Sequence, residues 1–305
     1  MKNLDIENVT PIFGGVSEHV NFLLHLSLSL FLVRHWLIQP QALVIRQLFS
    51  QRSLTLWTPP HGGVAIALSI LSAWAISFSS AFANGGTAAL GFWGCVLLIP
   101  WFTFLYTGLF VTGHDAMHGS VSREHPKLNK AIGTLALLLY GLIPYDKLCS
   151  AHDHHHQFPA SHRDPDFHNG RDTHPVLWYL RFMRSYWTWR QTIGLIIIYN
   201  GLHRLLSVPE SNLLVFWAIP SLLSSIQLFY FGTYLVHRKL PDTYDTPLCA
   251  NSNYWPEVIS LITCYHFGYH REHHAFPKVP WWMLPQVVSD DQYSKVYVHQ
   301  RWQCA

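Results

Sequence analysis

GGVAIALSILSAWAISFSSAFANGGTAALGFWGCVLLIPWFTFLYTGLFVTGHDAMH, residues 62–118, carries no charged side chain before Asp115. A helix that crosses a bilayer needs about 20 consecutive apolar residues. Two such runs fit here, Gly62–Phe82 and Leu90–Gly113, and the short polar linker ANGGT between them reads as a hairpin turn. The second run ends directly at His114, so an imidazole arrives at the membrane boundary. The stretch decides for an all-α, multi-pass membrane protein.

Composition agrees. Half of the 305 residues are hydrophobic and only 12% are charged, against about 25% in a soluble globular domain. The net charge of +3 is small and no Lys/Arg block is present, so nucleic acid is excluded as a partner. Cys95, Cys149, Cys249, Cys264 and Cys304 form no C-x-x-C pair, which removes zinc ribbons and redox dithiols. The first 19 residues carry polar and charged groups, and no secretory leader is expected there.

A third span is expected over Thr192–Val208, with His203 and Arg204 near its far end, and a fourth over Leu213–Val236, the two joined by PESN. Ala131–Ile143 is apolar but has 13 residues, a length suited to an interfacial or re-entrant segment. Parity supports that reading, because the histidine clusters before and after it face one side only if it does not cross. Arg123, Lys127, Lys130, Lys147, Arg163, Arg171, Arg181, Arg184, Arg190, Arg238 and Lys239 fall on the histidine side and Arg204 on the other. The positive-inside rule then makes the histidine side cytoplasmic. Val20–Ile38 reads either as a fifth span or as an interfacial helix. The expected organisation is an N-terminal extension (1–55), a membrane domain of about four spans in two hairpins with a cytoplasmic histidine-rich cap (56–295), and a tail (296–305).

Three clusters concentrate the histidines. HDAMH supplies His114 and His118, AHDHHHQ supplies His152, His155 and His156, and YHREHH supplies His270, His273 and His274. Helix positions i, i+3 and i+4 share a face, so each cluster aims several rings at one point. Neutral imidazole suits iron, copper, nickel and zinc. Eight rings are too many for one ion, and two redox-active irons with positions left for O₂ are the natural assignment. These histidines are thus the expected metal ligands and catalytic groups. His237, ending the fourth span, is a ninth candidate. His266 competes with it, four residues before His270; His237 is favoured because it enters from another helix. Metal-bound imidazoles usually donate their second N–H to a carboxylate or carbonyl. Asp115, Asp153, Asp164, Asp166 and Glu272 lie in or beside the clusters, and His168 and His162 flank RDPDF; Asp115, Asp166, His168, His266 and Glu272 are the outer-shell candidates. His154 points away from its neighbours. His19, His25, His35, His61, His125, His174, His203 and His299 read as incidental. No flavin, haem or iron–sulfur motif is visible, so electrons come from outside.

TGLFVTGHDAMHG, HDHHHQFPASHRDPDFH, FGTYLVHR and YHFGYHREHHAFPKVPWWMLP together resemble the membrane fatty acid desaturase and hydroxylase superfamily, and within it the β-carotene ketolases. The resemblance implies three histidine boxes holding two irons. It implies O₂-dependent addition of a keto group at C4 of the β-ionone ring, from β-carotene to echinenone and canthaxanthin, and a small reductant, ferredoxin, docking on the basic face. Acyl-lipid desaturation and carotenoid ring hydroxylation are alternatives within the superfamily. A metal transporter would place ionisable groups deep in the spans, and a b-type haem protein would place facing histidines there; neither pattern is present. Trp101, Phe102, Phe104, Tyr106 and Phe110 are candidate walls of a substrate tunnel.

Overall fold

A computed structural model describes residues 62–168, 173–238 and 248–288. The N-terminal extension, the Val20–Ile38 alternative, Arg171, Lys239 and the tail lie outside the described residues. No strand occurs among those described. The first hairpin is α1 (Gly62–Ala83) and α2 (Gly86–Met117). Gly91 breaks α2 with φ 62° and ψ −176°, a conformation essentially reserved for glycine. At 1.5 Å per residue, the stretch of α2 after this break, residues 92–117, extends about 39 Å, beyond a hydrocarbon core of about 30 Å. The helix therefore overshoots the predicted end at Gly113 and carries His114 on its last turn, under the cap.

The next helices, α3 (Pro126–Gly141) and α4 (Tyr145–Gln157), meet at 99°. Gly133 lets α3 approach α2 closely: a Cβ there would lie 2.4 Å from Ala116 Cβ. Gly113 does the same from the other side, where a Cβ would lie 2.5 Å from Leu137 Cγ. Asn129 Nδ2 and Tyr145 Oη both donate to Ala116 O, at 2.7 and 2.8 Å, satisfying a carbonyl that the helix end leaves open. His118 at the end of α2 and His152 on α4 have Nε2 atoms 2.9 Å apart. The α3–α4 pair thus returns the chain to the face it left, as a re-entrant segment.

Amphipathic α5 (Pro175–Tyr186) follows, burying Trp178 and exposing Val176, Leu177 and Leu180. Then α6 (Trp189–Asn200) opens with a Thr188–Gln191 capping box and runs on as a π turn over Gly201–Leu205. Among the described residues three helices, α1, α2 and α7 (Glu210–His237), are long and apolar enough to cross a membrane, and α6 is shorter. Its course is fixed by its neighbours. Thr87 N donates to Asn212 Oδ1 at 2.9 Å, Thr107 and Ser224 hydroxyls meet at 2.9 Å midway, and His114 and His237 finish together. Helices α2 and α7 are therefore parallel neighbours, and the chain between them must traverse the layer through α6. Among the described residues four crossings result, in two hairpins, and Arg204 falls opposite the histidines. Short α8 (Glu257–Cys264), α9 (His270–Ala275) and α10 (Leu284–Val288) complete the cap. The core joins Tyr106, Leu109, Val111, Leu137 and Tyr265 between the spans and the cap.

Candidate metal centre

Helices α4 and α9 share the wording H-x-x-H-H-x-F-P, at 152–159 and 270–277, and end in the same way. Phe158 caps α4 at φ −134°, ψ 48°, and Phe276 caps α9 at φ −135°, ψ 66°. Each backbone N–H closes the last turn, onto His154 O at 3.0 Å and Glu272 O at 2.9 Å. The following proline disfavours helical geometry at the phenylalanine, so each helix stops one residue after its last histidine. The C-termini of α2, α4 and α7 all converge on this region. Their carbonyl ends carry partial negative charge, which favours a cation.

The rings form two groups. His114, His118, His152 and His273 present ring nitrogens within 4.8 Å of one another, and so do His155, His237, His270 and His274. Nε2 of His156 lies 3.1 Å from His152 and 3.0 Å from His273, which joins it to the first group. In the second, His274 Nε2 is 3.0 Å from His155 Nε2 and 3.1 Å from His270 Nε2. A metal–imidazole bond of about 2.1 Å puts adjacent nitrogens of an octahedron about 3.0 Å apart and opposite ones about 4.2 Å apart. The observed spacings match those edges. His237 Nε2 is buried without a hydrogen-bond partner while its Nδ1 faces Cys249 O at 3.2 Å. A buried orphan lone pair is costly unless a cation completes it. The residues therefore fit two metal ions, with five and four imidazoles.

Electrostatics keep these rings in ligand form. Burial, and then repulsion from neighbouring histidines, holds His152, His270, His273 and His274 well below the ordinary imidazole range. Burial also lowers His118 to about 4 and His156 to about 2. Neutral rings at pH 7 are what metal binding requires. His155 differs. Burial opposes its charge, but the Asp164 carboxylate 2.9 Å from Nδ1 outweighs it and raises the pKa. Asp164 fixes the proton on Nδ1 and leaves Nε2 facing the group. Burial alone would raise Asp164, but attraction to His155 leads the effects that hold it below the usual carboxylate range.

The outer-shell candidates separate. Asp164 bonds His155 directly, accepting also from Ala160 N at 2.9 Å and Asp166 N at 2.8 Å. Asp166 stands behind it, with Oδ2 3.8 Å from His155 Nδ1, and accepts a hydrogen bond from the Tyr186 hydroxyl. Asp115 lies 3.5 Å from His114 Nδ1 and accepts from Trp281 N at 3.2 Å. Glu272 bonds Ser252 and Tyr254 instead of a histidine. His168 packs on Phe167 and Trp178, in a separate cluster. Asp153 and His154 are exposed. His266 does not share the face of His270. Tyr265 and His266 adopt left-handed backbone (φ 47° and 63°), α9 starts only at His270, and the His266 ring stacks on Tyr269 and Trp281. The ninth ring at the centre is His237.

An apolar cavity of about 560 Å³ reaches His114, His152, His155, His237 and His270 from between α2, α6 and α7, extending to Tyr199 and Trp217. Of the five expected tunnel aromatics only Phe110 lines it. Phe102 and Tyr106 are buried in packing, Trp101 donates to Ser77 at 3.0 Å, and Phe104 stacks on Tyr265 with centroids 4.4 Å apart. The wall comes instead from α6, α7 and the Phe182–Tyr186 end of α5. No periodicity in the sequence marked those faces.

The sequence profile of the family described as fatty acid desaturase matches residues 89–210 and 178–303. A beta-carotene ketolase of Paracoccus sp. (strain N81106 / MBIC 01143) is 41% identical over 227 residues, 74% of this chain and 89% of the relative. A beta-carotene 4-ketolase of Protosiphon botryoides is 34% identical over 252 residues, 75% of this chain and 65% of the relative. A zeaxanthin 4-ketolase of Chlamydomonas reinhardtii is 36% identical over 249 residues, 76% of this chain and 55% of the relative.

Proposed function

The chain belongs to the fatty acid desaturase family, and from that premise we propose that it is a membrane carotenoid 4-ketolase whose two histidine groups hold a pair of irons. The carrying observation is that the groups close one end of an apolar cavity set within the membrane spans. A polyene dissolved in the bilayer matches such a cavity. Its terminal ring would lie against the histidines and its chain between α6 and α7. Bound iron would supply O₂ activation and hydrogen-atom abstraction from carbon. At C4 of a β-ionone ring that hydrogen is allylic, and the radical left behind delocalises into the polyene.

His114, His118, His152, His156 and His273 are assigned to one ion and His155, His237, His270 and His274 to the other. Asp164 orients His155, and the Cys249 carbonyl orients His237. Apolar walls keep bulk water from the reacting end. The histidine face is assigned to the cytoplasm, where a one-electron donor of the ferredoxin type docks. The relatives' names favour ketone formation over desaturation or ring hydroxylation, and between them they specify β-carotene and zeaxanthin.

Expression in a host that accumulates β-carotene, followed by pigment extraction and chromatography, tests the reading. Echinenone and canthaxanthin are expected. Unaltered β-carotene, with the protein present in the membrane, overturns it.

A further inference from the structure

A ketone at a methylene carbon requires two oxidations of the same atom. Each consumes one O₂, two electrons from the external donor and two protons, and releases one water. The first replaces C–H by C–OH. The second gives a geminal diol, which loses water to leave C=O. The alcohol must therefore stay at the site, or return to it in the same pose, although the cavity wall is chiefly apolar.

Tyr186 and Asp166 interrupt that wall at the histidine end. Both line the cavity beside His152 and His155. The Tyr186 hydroxyl donates to Asp166 Oδ1, and the other carboxylate oxygen is 3.8 Å from His155 Nδ1. With its proton committed to Asp166, the phenol oxygen offers lone pairs to the cavity. The pair is held from behind: Trp178 Nε1 donates to Asp166 O at 2.9 Å, and Asp166 N donates to Asp164 Oδ1 at 2.8 Å. Several other polar groups along the wall are engaged elsewhere. Gln191 closes the Thr188 capping box, and Asn200 and Ser221 bond carbonyls of their own helices.

Resting on the ketolase reading, we propose that Tyr186, set by Asp166, accepts a hydrogen bond from the C4 alcohol and holds it for the second oxidation, making the product a ketone rather than an alcohol. Tyr186 is in this sense a specificity-determining residue. The test is Tyr186→Phe in the β-carotene host, with the C4 alcohol and ketone quantified by chromatography. The alcohol-to-ketone ratio is expected to rise about fivefold, the worth of one net hydrogen bond. In isolated membranes with reductant, KM for 4-hydroxy-β-carotene should rise about fivefold relative to KM for β-carotene. An unchanged ratio, or both oxidations failing in proportion, overturns the proposal. Absence of any C4-oxygenated product from the wild type instead overturns the ketolase reading on which it rests.

Discussion

Asp164→Asn should strip iron from one histidine group while sparing the other. The Asp164 carboxylate is buried and accepts three hydrogen bonds, from His155 Nδ1 at 2.9 Å, Ala160 N at 2.9 Å and Asp166 N at 2.8 Å. An asparagine amide offers one acceptor oxygen. Keeping that oxygen toward His155 and Asp166 turns the NH₂ onto the Ala160 N–H, donor against donor. An unsatisfied buried donor costs about 1–3 kcal/mol, and losing the charge on the His155 bond costs about 1 kcal/mol more. Removal of the partner of a metal-bound histidine typically lowers affinity about 10–100-fold, or about 1.4–2.8 kcal/mol. The two routes agree in scale. The assay is chelator titration of detergent-purified protein with iron followed by mass spectrometry. Half of the iron should leave at a chelator concentration about 10–100-fold lower than in the wild type. Unchanged chelator resistance of all the iron would refute the placement of Asp164 behind His155.

His118→Ala and His273→Ala should each abolish ketone formation while the protein still inserts, read by pigment chromatography beside membrane immunoblotting. Gly133→Val should destabilise by about 1–3 kcal/mol through overpacking, because even a Cβ would lie 2.4 Å from Ala116; thermal unfolding in detergent measures the shift. Acid should destabilise the iron-free protein. His118 is lowered to about 4 by burial, so below the unfolded value of about 6.5 the unfolded state binds more protons. Stability should fall from about pH 6.5 toward 4, as seen in melting temperature against pH, and a flat profile would count against the buried cluster.

The spans were legible because a charge-free apolar run has few alternatives to a membrane helix. Parity among the histidine clusters also told the re-entrant α3–α4 pair from a crossing. What the sequence could not order was rotation about the helix axes. In α2 apolar residues lie all round, so no moment separates a cavity wall from a packing face or a lipid face; four of its five singled-out aromatics pack elsewhere. Nor could spacing rank two carboxylates two residues apart. The turn over 160–166, closed by Ala160 N and Asp166 N onto Asp164, puts Asp164 on His155 and turns Asp166 to the cavity. His266 falls away as the rival of His237 for a similar reason: the i, i+4 rule presumes a continuous helix, and two left-handed residues interrupt it.

Quantifying and locating iron in the purified protein tests the account most directly, by elemental analysis together with anomalous scattering at the iron edge. Two irons per chain are predicted, one surrounded by His114, His118, His152, His156 and His273 and the other by His155, His237, His270 and His274. A single ion, or metal bound away from both groups, would contradict it.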